Sequence, residues 1–366
     1  RIARVSATDG TVTARIELCP TAIGSDVDST NMRGPRGLAL KPSVALYVMN
    51  RIANTISIIN LTNHSVVNEI PVGTFDPSPE VIRRGRGFLY DAKLSGNGTV
   101  SCASCHIDAE MDLLAWDLGD PQGHMITNLT FLTATTPGTN QAMHPMKGPM
   151  TTQTLRGLKG LEPLHWRGDR TNFQHFSGAF DTLLGRTELP DADMQAFADF
   201  IETVVFQPNP NQNLNRTYPT SFAGGNAVTG SNIFNTLIYD SVRNLTCSSC
   251  HRPPPGPGSS TNIIARQSIG EFQDFKAAHL RNIYQKTTFS PFLGQQSIGG
   301  FGILHDGLAG NITNFLDDPN FGPIGSNLSH RLNLQAFVLS FDTGMAPVVG
   351  YRSEERRVGK ECRSRW

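Results

Sequence analysis

Apolar and polar positions along this chain follow two different rhythms. Through about residue 79 they alternate, as in "ALYVMNRIANTISIINLTNHSVVNEIPVG", and the alternating positions are rich in β-branched side chains. Strict alternation puts every second side chain on one face of a strand, so this region is read as strands separated by turns at residues 51–54 and 62–64. "TVTARIEL" at residues 11–18 echoes "SVVNEIPV" at residues 65–72, a period of 54. That is slightly long for one propeller blade and leaves room for the insertion "GSDVDSTNM". Residues 1–79 are therefore expected to be all-β, as partial propeller blades with the remainder upstream.

Beyond residue 80 the period lengthens to that of amphipathic helices and the pattern occurs twice. "RGRGFLYDA" and "TGSNIFNTL" read as helices, and "MQAFADFIETVVF" and "LQAFVLSF" as apolar-periodic helices closing each copy. Between them "TLRGL" matches "HLRNI", and "LHWRGDRTNF" matches "LHDGLAGNITNF". His165 precedes one Gln-Ala-Phe triplet by the same interval as His305 precedes the other, which makes the two histidines equivalent by internal symmetry. The seam is the Pro/Asn-rich stretch "QPNPNQNLNRTYPT". The expected fold is mostly α: a domain at 80–212 and a second at 213–350 in tandem, after the all-β region at 1–79.

Composition narrows the function. The 31 basic and 31 acidic residues cancel, which gives no electrostatic footprint for nucleic acid or an anionic membrane surface. No apolar run is long enough for a membrane-spanning helix. With 35 Gly and 23 Pro, many turns are expected and long uninterrupted helices are not. The chain opens at Arg1 in what reads as a strand, so an upstream portion and any signal peptide are expected to be missing. Residues 351–366 turn abruptly to "YRSEERRVGKECRSRW". This tail resembles the conceptual translation of a common short-read sequencing adapter, in which AGATCGGAAGAGC encodes the opening Arg-Ser-Glu-Glu; no function is taken from it or from its Cys362.

Of the six cysteines, Cys19 and Cys362 stand apart and the other four form two copies of one pattern, Cys102-Ala103-Ser104-Cys105-His106 and Cys247-Ser248-Ser249-Cys250-His251. One CxxCH is expected by chance about 0.003 times in a chain of this composition, so two copies point to covalent haem attachment. Cysteines three apart share one helical turn, so both sulfurs can reach the two vinyl groups on one haem edge while the next residue's imidazole comes under the iron. His106 and His251 are then the proximal ligands. A thioredoxin-like dithiol would want one CxxC in a βαβ unit, and a four-cysteine zinc site would need ligands 145 residues apart and leave both histidines without a role.

The double CxxCH, with "RGRGFLYDAKLSGNGTVSCASCH", "HPMKGPMTTQTLRGL" and "FKAAHLRN…FGILHDG", resembles the di-haem cytochrome c peroxidase and MauG-like superfamily, in the subgroup preceded by a YVTN-type β-propeller. The resemblance covers roughly residues 80–350. It implies two cytochrome c domains facing one another, two covalently attached c-type haems, and an oxidoreductase that passes electrons from a soluble donor protein through one haem to a second, where hydrogen peroxide is reduced. It also implies export to the periplasm, and haem attachment points the same way. The distal ligands decide between catalysis and plain electron transfer. In the first module His144, within "MHPMKGP", occupies the family's releasable distal position, with His165 its rival and Met146 and Met150 behind. The family's second-module distal Met is absent, since no Met lies between His251 and Met345; His305 and, less favoured, His279 are the candidates, or that iron is open. Trp116 and Trp166 are candidate electron relays between the haems. Asp108, Glu110 and Asp112 could act as acid or base, but helix-start carboxylates explain them equally well. His64, His124, His175 and His330 read as surface or capping residues. The rival functions are a non-catalytic di-haem electron carrier and a propeller whose activity the haems drain.

Overall fold

The computed structural model describes residues 2–18, 32–119, 122–128, 141–254, 256–269, 271–287 and 302–346. Cys19, most of the "GSDVDSTNM" insertion and the 351–366 tail with Cys362 lie outside these residues. The chain forms two compact units, Arg1–Glu110 with Phe173–Val204 and Met111–Asn172 with Val205–Trp366.

The first unit begins with a hairpin, β1 (Ile2–Val5) and β2 (Val12–Ile16), and a four-stranded antiparallel meander, β3 (Pro35–Lys41), β4 (Ala45–Asn50), β5 (Thr55–Asn60) and β6 (Val66–Pro71). The expected turns at 51–54 and 62–64 fall between β4 and β5 and between β5 and β6. Asn54 and His64 take the left-handed conformation a tight reversal demands, with φ of 54° and 59°. Ile16 and Leu18 pack on Val48 and Ile59 to make a small core on one face of the sheet. Asn50, also buried, donates through Nδ2 to Thr55 Oγ1 and Ser57 Oγ, while its Oδ1 has no partner among the described residues.

Two helix pairs repeat the same packing. In the first unit α1 (Glu80–Tyr90) lies on α3 (Asp191–Glu202), with the short α2 (Gly178–Thr182) before it. In the second unit α4 (Ala227–Thr236) lies on α7 (Leu328–Leu339), with α5 (Arg266–Ile269) and α6 (Ile312–Phe315) between. A glycine sets each crossing. A side chain on Gly85 would strike Phe200 and the Ala196 carbonyl, and one on Gly230 would strike the Asn333 carbonyl and Phe337. Beside each glycine an aromatic pair closes the contact: Phe88 on Phe197 at 5.9 Å and Phe234 on Phe337 at 5.1 Å between ring centroids. The two glycines seventeen residues ahead of each CxxCH are thus close-approach points, and Phe197 and Phe337 come from the two Gln-Ala-Phe triplets.

Helix is sparser than the expectation of a mostly α fold. Among the described residues it is confined to α1, α3, α4 and α7, of ten to twelve residues, and three elements of four or five. The rest of both modules is turn, 3-10 helix and two- or three-stranded-residue ladders: β7 (Ala115–Trp116) with β10 (Met150–Thr151), β8 (Ile126–Asn128) with β9 (Gln141–Met143), and β11 (Ile263–Ile264) with β12 (Phe275–Lys276). The abundance of Gly and Pro accounts for this, because each interrupts helical propagation. No helix among the described residues is long and apolar enough to cross a membrane.

Candidate functional site

Both CxxCH segments fold into the same turn. Cys102–Ser104 and Cys247–Ser249 are 3-10 helices, opened by a serine three residues on whose hydroxyl accepts the backbone N–H of Ser101 or Thr246 at 3.0 Å. In each, the histidine N–H donates to the first cysteine's carbonyl at 2.9 Å and the second cysteine's N–H to the same carbonyl at 3.3 Å. The equivalence inferred from spacing therefore extends to the backbone hydrogen bonds.

None of the four cysteines of these motifs is in a disulfide. Burial pushes Cys102 and Cys247 up to about 12 and raises Cys250 as well. A redox dithiol works by the opposite device, a depressed thiol that is thiolate near neutrality, so these turns are poor thioredoxin-like sites. Among the described residues no group of three or more His, Cys, Asp or Glu is placed to hold an ion.

The second motif shows how its histidine is oriented. His251 Nδ1 lies 2.8 Å from the Gly258 carbonyl, in a loop closed by its own hydrogen bonds from Gly258 N–H to Arg252 O and from Gly256 N–H to Pro253 O. Donation through Nδ1 fixes the tautomer that presents Nε2 as a lone pair, the arrangement of a metal-binding imidazole. Burial lowers the His251 pKa and keeps the ring neutral. Backbone hydrogen bonds to Gly258 and Ala278 work against that shift without overcoming it. His279 itself is buried with Nδ1 unpartnered, and its pKa is driven well down by burial and by the cations Lys286, Lys276 and Arg281. Two residues on, Arg281 keeps a buried Nε without an acceptor, a donor suited to an anionic group such as a haem propionate.

The remaining sequence candidates of the second unit gather around residues 149–151. Trp116 in β7 pairs with Met150 in β10. Trp166 Nε1 donates to the Thr151 carbonyl at 2.7 Å. His305 accepts the Thr151 N–H on its carbonyl at 2.6 Å, has Nδ1 at 3.0 Å from the Pro149 carbonyl and Nε2 at 3.4 Å from Glu271, and stacks on Phe275 at 4.3 Å. Arg167 reaches the His144 carbonyl at 2.9 Å, but the exposed His144 ring accepts only the nearby Met146 N–H through Nδ1. His165 Nδ1 sits 2.7 Å from Asp169. Burial alone would raise the Asp169 carboxyl, but the His165 hydrogen bond and the charges of His165, Arg170 and Arg167 outweigh it and hold the group well below the usual range.

The symmetry drawn between His165 and His305 is off by one residue. A bridge from Leu164 to Arg170 closes the first loop and one from Ile303 to Ala309 closes the second. Inside them, His165 and Leu304 both have φ of 77°, and their carbonyls accept from Gly168 and Gly307 respectively. His165 therefore matches Leu304, and His305 matches Trp166. Counting back from the Gln-Ala-Phe triplets missed the slip because the segments after the two loops differ in length.

The two tryptophans sit in unlike surroundings. Trp116 is 39% exposed and its Nε1–H donates to the Asp112 carboxylate at 2.9 Å. Trp166 has the Lys286 ammonium 5.3 Å from its ring centre. A carboxylate on the indole N–H favours loss of an electron from the ring, whereas a cation over its face opposes it.

Residues 79–238 match the family model described as di-haem cytochrome c peroxidase. This region is similar to the di-haem cytochrome c peroxidase family. The match includes Cys102, Cys105 and His106 and ends before Cys247, so the second motif rests on the repeat. Among solved structures, a chain of Kuenenia stuttgartiensis hydrazine synthase has a TM-score of 0.50 at 16% identity, covering 74% of this chain and 89% of its own. That likeness is one of fold. A MauG-like protein associated with microbial copper homeostasis scores 0.40 at 15% identity, covering 74% and 91%. None of the curated proteins matches the chain. The similarity to the di-haem cytochrome c peroxidase family is in keeping with haem cofactors and redox chemistry.

Proposed function

We propose that this chain is a di-haem c-type cytochrome with peroxidase-like activity, one haem attached through Cys102 and Cys105 over His106 and the other through Cys247 and Cys250 over His251. The observation that carries the reading is the repeated thiol turn, held by the same hydrogen bonds in both modules and placed after the same glycine-set helix. The residues fit the group: two thiols per turn, of which burial raises Cys102, Cys247 and Cys250, a histidine at the second turn held through Nδ1, and Arg281 with an unmet buried N–H. When bound, haem supplies an iron centre that accepts and releases single electrons and, with a vacant or releasable sixth position, can reduce peroxide.

The chain's own residues set that sixth position. His305 would have to leave the Pro149 carbonyl or Glu271 to serve as a ligand, which favours an open or openable iron in the second module. His165, held through Nδ1 by Asp169, is the better-prepared imidazole, and His144 stands as its rival. Trp116, with its Asp112 partner, is the preferred electron relay over Trp166. A soluble electron-donor protein, a periplasmic location and a propeller role for the four-stranded meander complete the proposal.

Electron paramagnetic resonance of the oxidised and half-reduced protein, followed by mixing with hydrogen peroxide, tests it. The expected result is at least one high-spin haem and reoxidation of the reduced protein by peroxide. Two permanently low-spin haems inert to peroxide would leave a non-catalytic electron carrier instead.

A further inference from the structure

Asp108 stands two residues beyond His106, and its carboxylate is gripped from the strand region of the same unit. Arg36, in β3, donates to it through Nη1 at 3.1 Å and Nη2 at 2.6 Å, a two-pronged contact. Arg51, immediately after β4, donates through Nη1 at 2.7 Å and lies over the Tyr90 ring at 4.9 Å. Tyr90 OH, at the end of α1, approaches the same oxygen at 3.5 Å. Bidentate guanidinium contact fixes direction as well as distance.

What this grip holds is an unfavourable backbone. Asp108 has φ of 52° and ψ of 40°, and the next residue, the buried Ala109, has φ of 63°. Asp tolerates the left-handed region through its short polar side chain, but alanine does not do so cheaply. The second module solves the same position differently. Counting from the axial histidines, Asp108 corresponds to Pro253 and Ala109 to Pro254. There the ring of proline fixes φ, and the loop's own Gly258 carbonyl orients His251. The second loop is shaped by its own covalent structure, whereas the first is held by residues 72 and 57 positions away.

On the di-haem reading, we infer that Asp108 is a positioning residue for His106, and that Arg36 and Arg51 of the strand region set the geometry of the first haem's proximal side through it. The strand region then has a part in the redox centre that contact with haem itself would not reveal.

The test compares Asp108→Ala, Asp108→Asn and the double variant Arg36→Gln/Arg51→Gln with the native protein, each carrying both haems, with the second haem as internal reference. If the role is positioning, the first haem's g-values shift in the same direction in Asp108→Ala and in the double variant. Asp108→Asn, which keeps tolerance of the left-handed backbone, shifts them less, and the second haem does not change. A first motif that no longer takes up haem in both disruptive variants, with the second still loaded, is the extreme form of the same result. A merely electrostatic influence would move the first haem's reduction potential in opposite directions in the two variants, since one removes a negative charge and the other two positive charges. That outcome without a change in g-values, or no change in either quantity, overturns the inference. A native protein with no haem on Cys102 and Cys105 overturns the di-haem reading itself, and intact mass distinguishes the two failures.

Discussion

Lys276, in β12, is partly buried beside the second motif's loop and donates to Ser259 Oγ at 2.9 Å. Burial, with Arg252 adding to it, lowers its pKa from 10.5 to about 8. Between those values the unfolded chain holds the proton and the folded chain does not, so stability rises with pH from about 8 to 10.5 and the full penalty applies below pH 8. At 1.36 kcal/mol per unit, that penalty is roughly 3 kcal/mol. Lys276→Met is expected to raise the urea midpoint at pH 7 and to flatten the rise between pH 8 and 10.5; an unchanged slope would show that another group titrates there. At this scale the sequence exposed the residues whose chemistry is local. The cysteines and histidines of CxxCH announce themselves by spacing, and their turns repeat in detail. Asp108 could only be weighed as a possible acid or base, because Arg36 and Arg51 reach it across the fold. The pairing of His165 with His305 failed for a related reason: a one-residue slip, visible in the φ of 77° shared by His165 and Leu304, leaves no mark in a residue count.

The helix pairs are where pattern and packing agree. The apolar period located α1, α3, α4 and α7, and Gly85 and Gly230 each stand at a close helix crossing. Ala is the better helix former by about 1 kcal/mol, so an exposed glycine replaced by alanine would stabilise its helix. At Gly85 and Gly230 the added methyl meets a neighbouring backbone carbonyl. Gly85→Ala and Gly230→Ala are each expected to lower stability by about 1–3 kcal/mol, the usual cost of overpacking, as read by denaturant unfolding. Phe337 is fully buried between Phe234, Tyr218 and Phe341, and Phe337→Ala should cost about 3–5 kcal/mol. If either glycine variant gained stability, the close helix crossing would be wrong. The short ladders β7–β10 and β11–β12 were not foreseen, because two-residue strands are set by tertiary contact and carry no period of their own.

For the molecule as a whole, two tandem modules were expected, while the two compact units draw residues 111–172 together with the C-terminal part of the chain and residues 173–204 with the N-terminal part. Contacts between segments distant in sequence decide such grouping, and a linear reading of linkers does not contain them. What the linear reading did contain was the duplication, and the duplication carries the functional claim. Burial that raises the Cys102, Cys247 and Cys250 thiols weighs against the dithiol alternative. The central claim is therefore that each CxxCH holds one haem by thioether bonds. Its most direct test is the intact mass, with the pyridine haemochrome spectrum, of the chain produced by export alongside a cytochrome c maturation system. The account predicts two haem masses that survive acidified-acetone extraction, falling to one in either Cys102→Ser/Cys105→Ser or Cys247→Ser/Cys250→Ser. A native protein whose four cysteines remain alkylatable, with no retained haem mass, would contradict it.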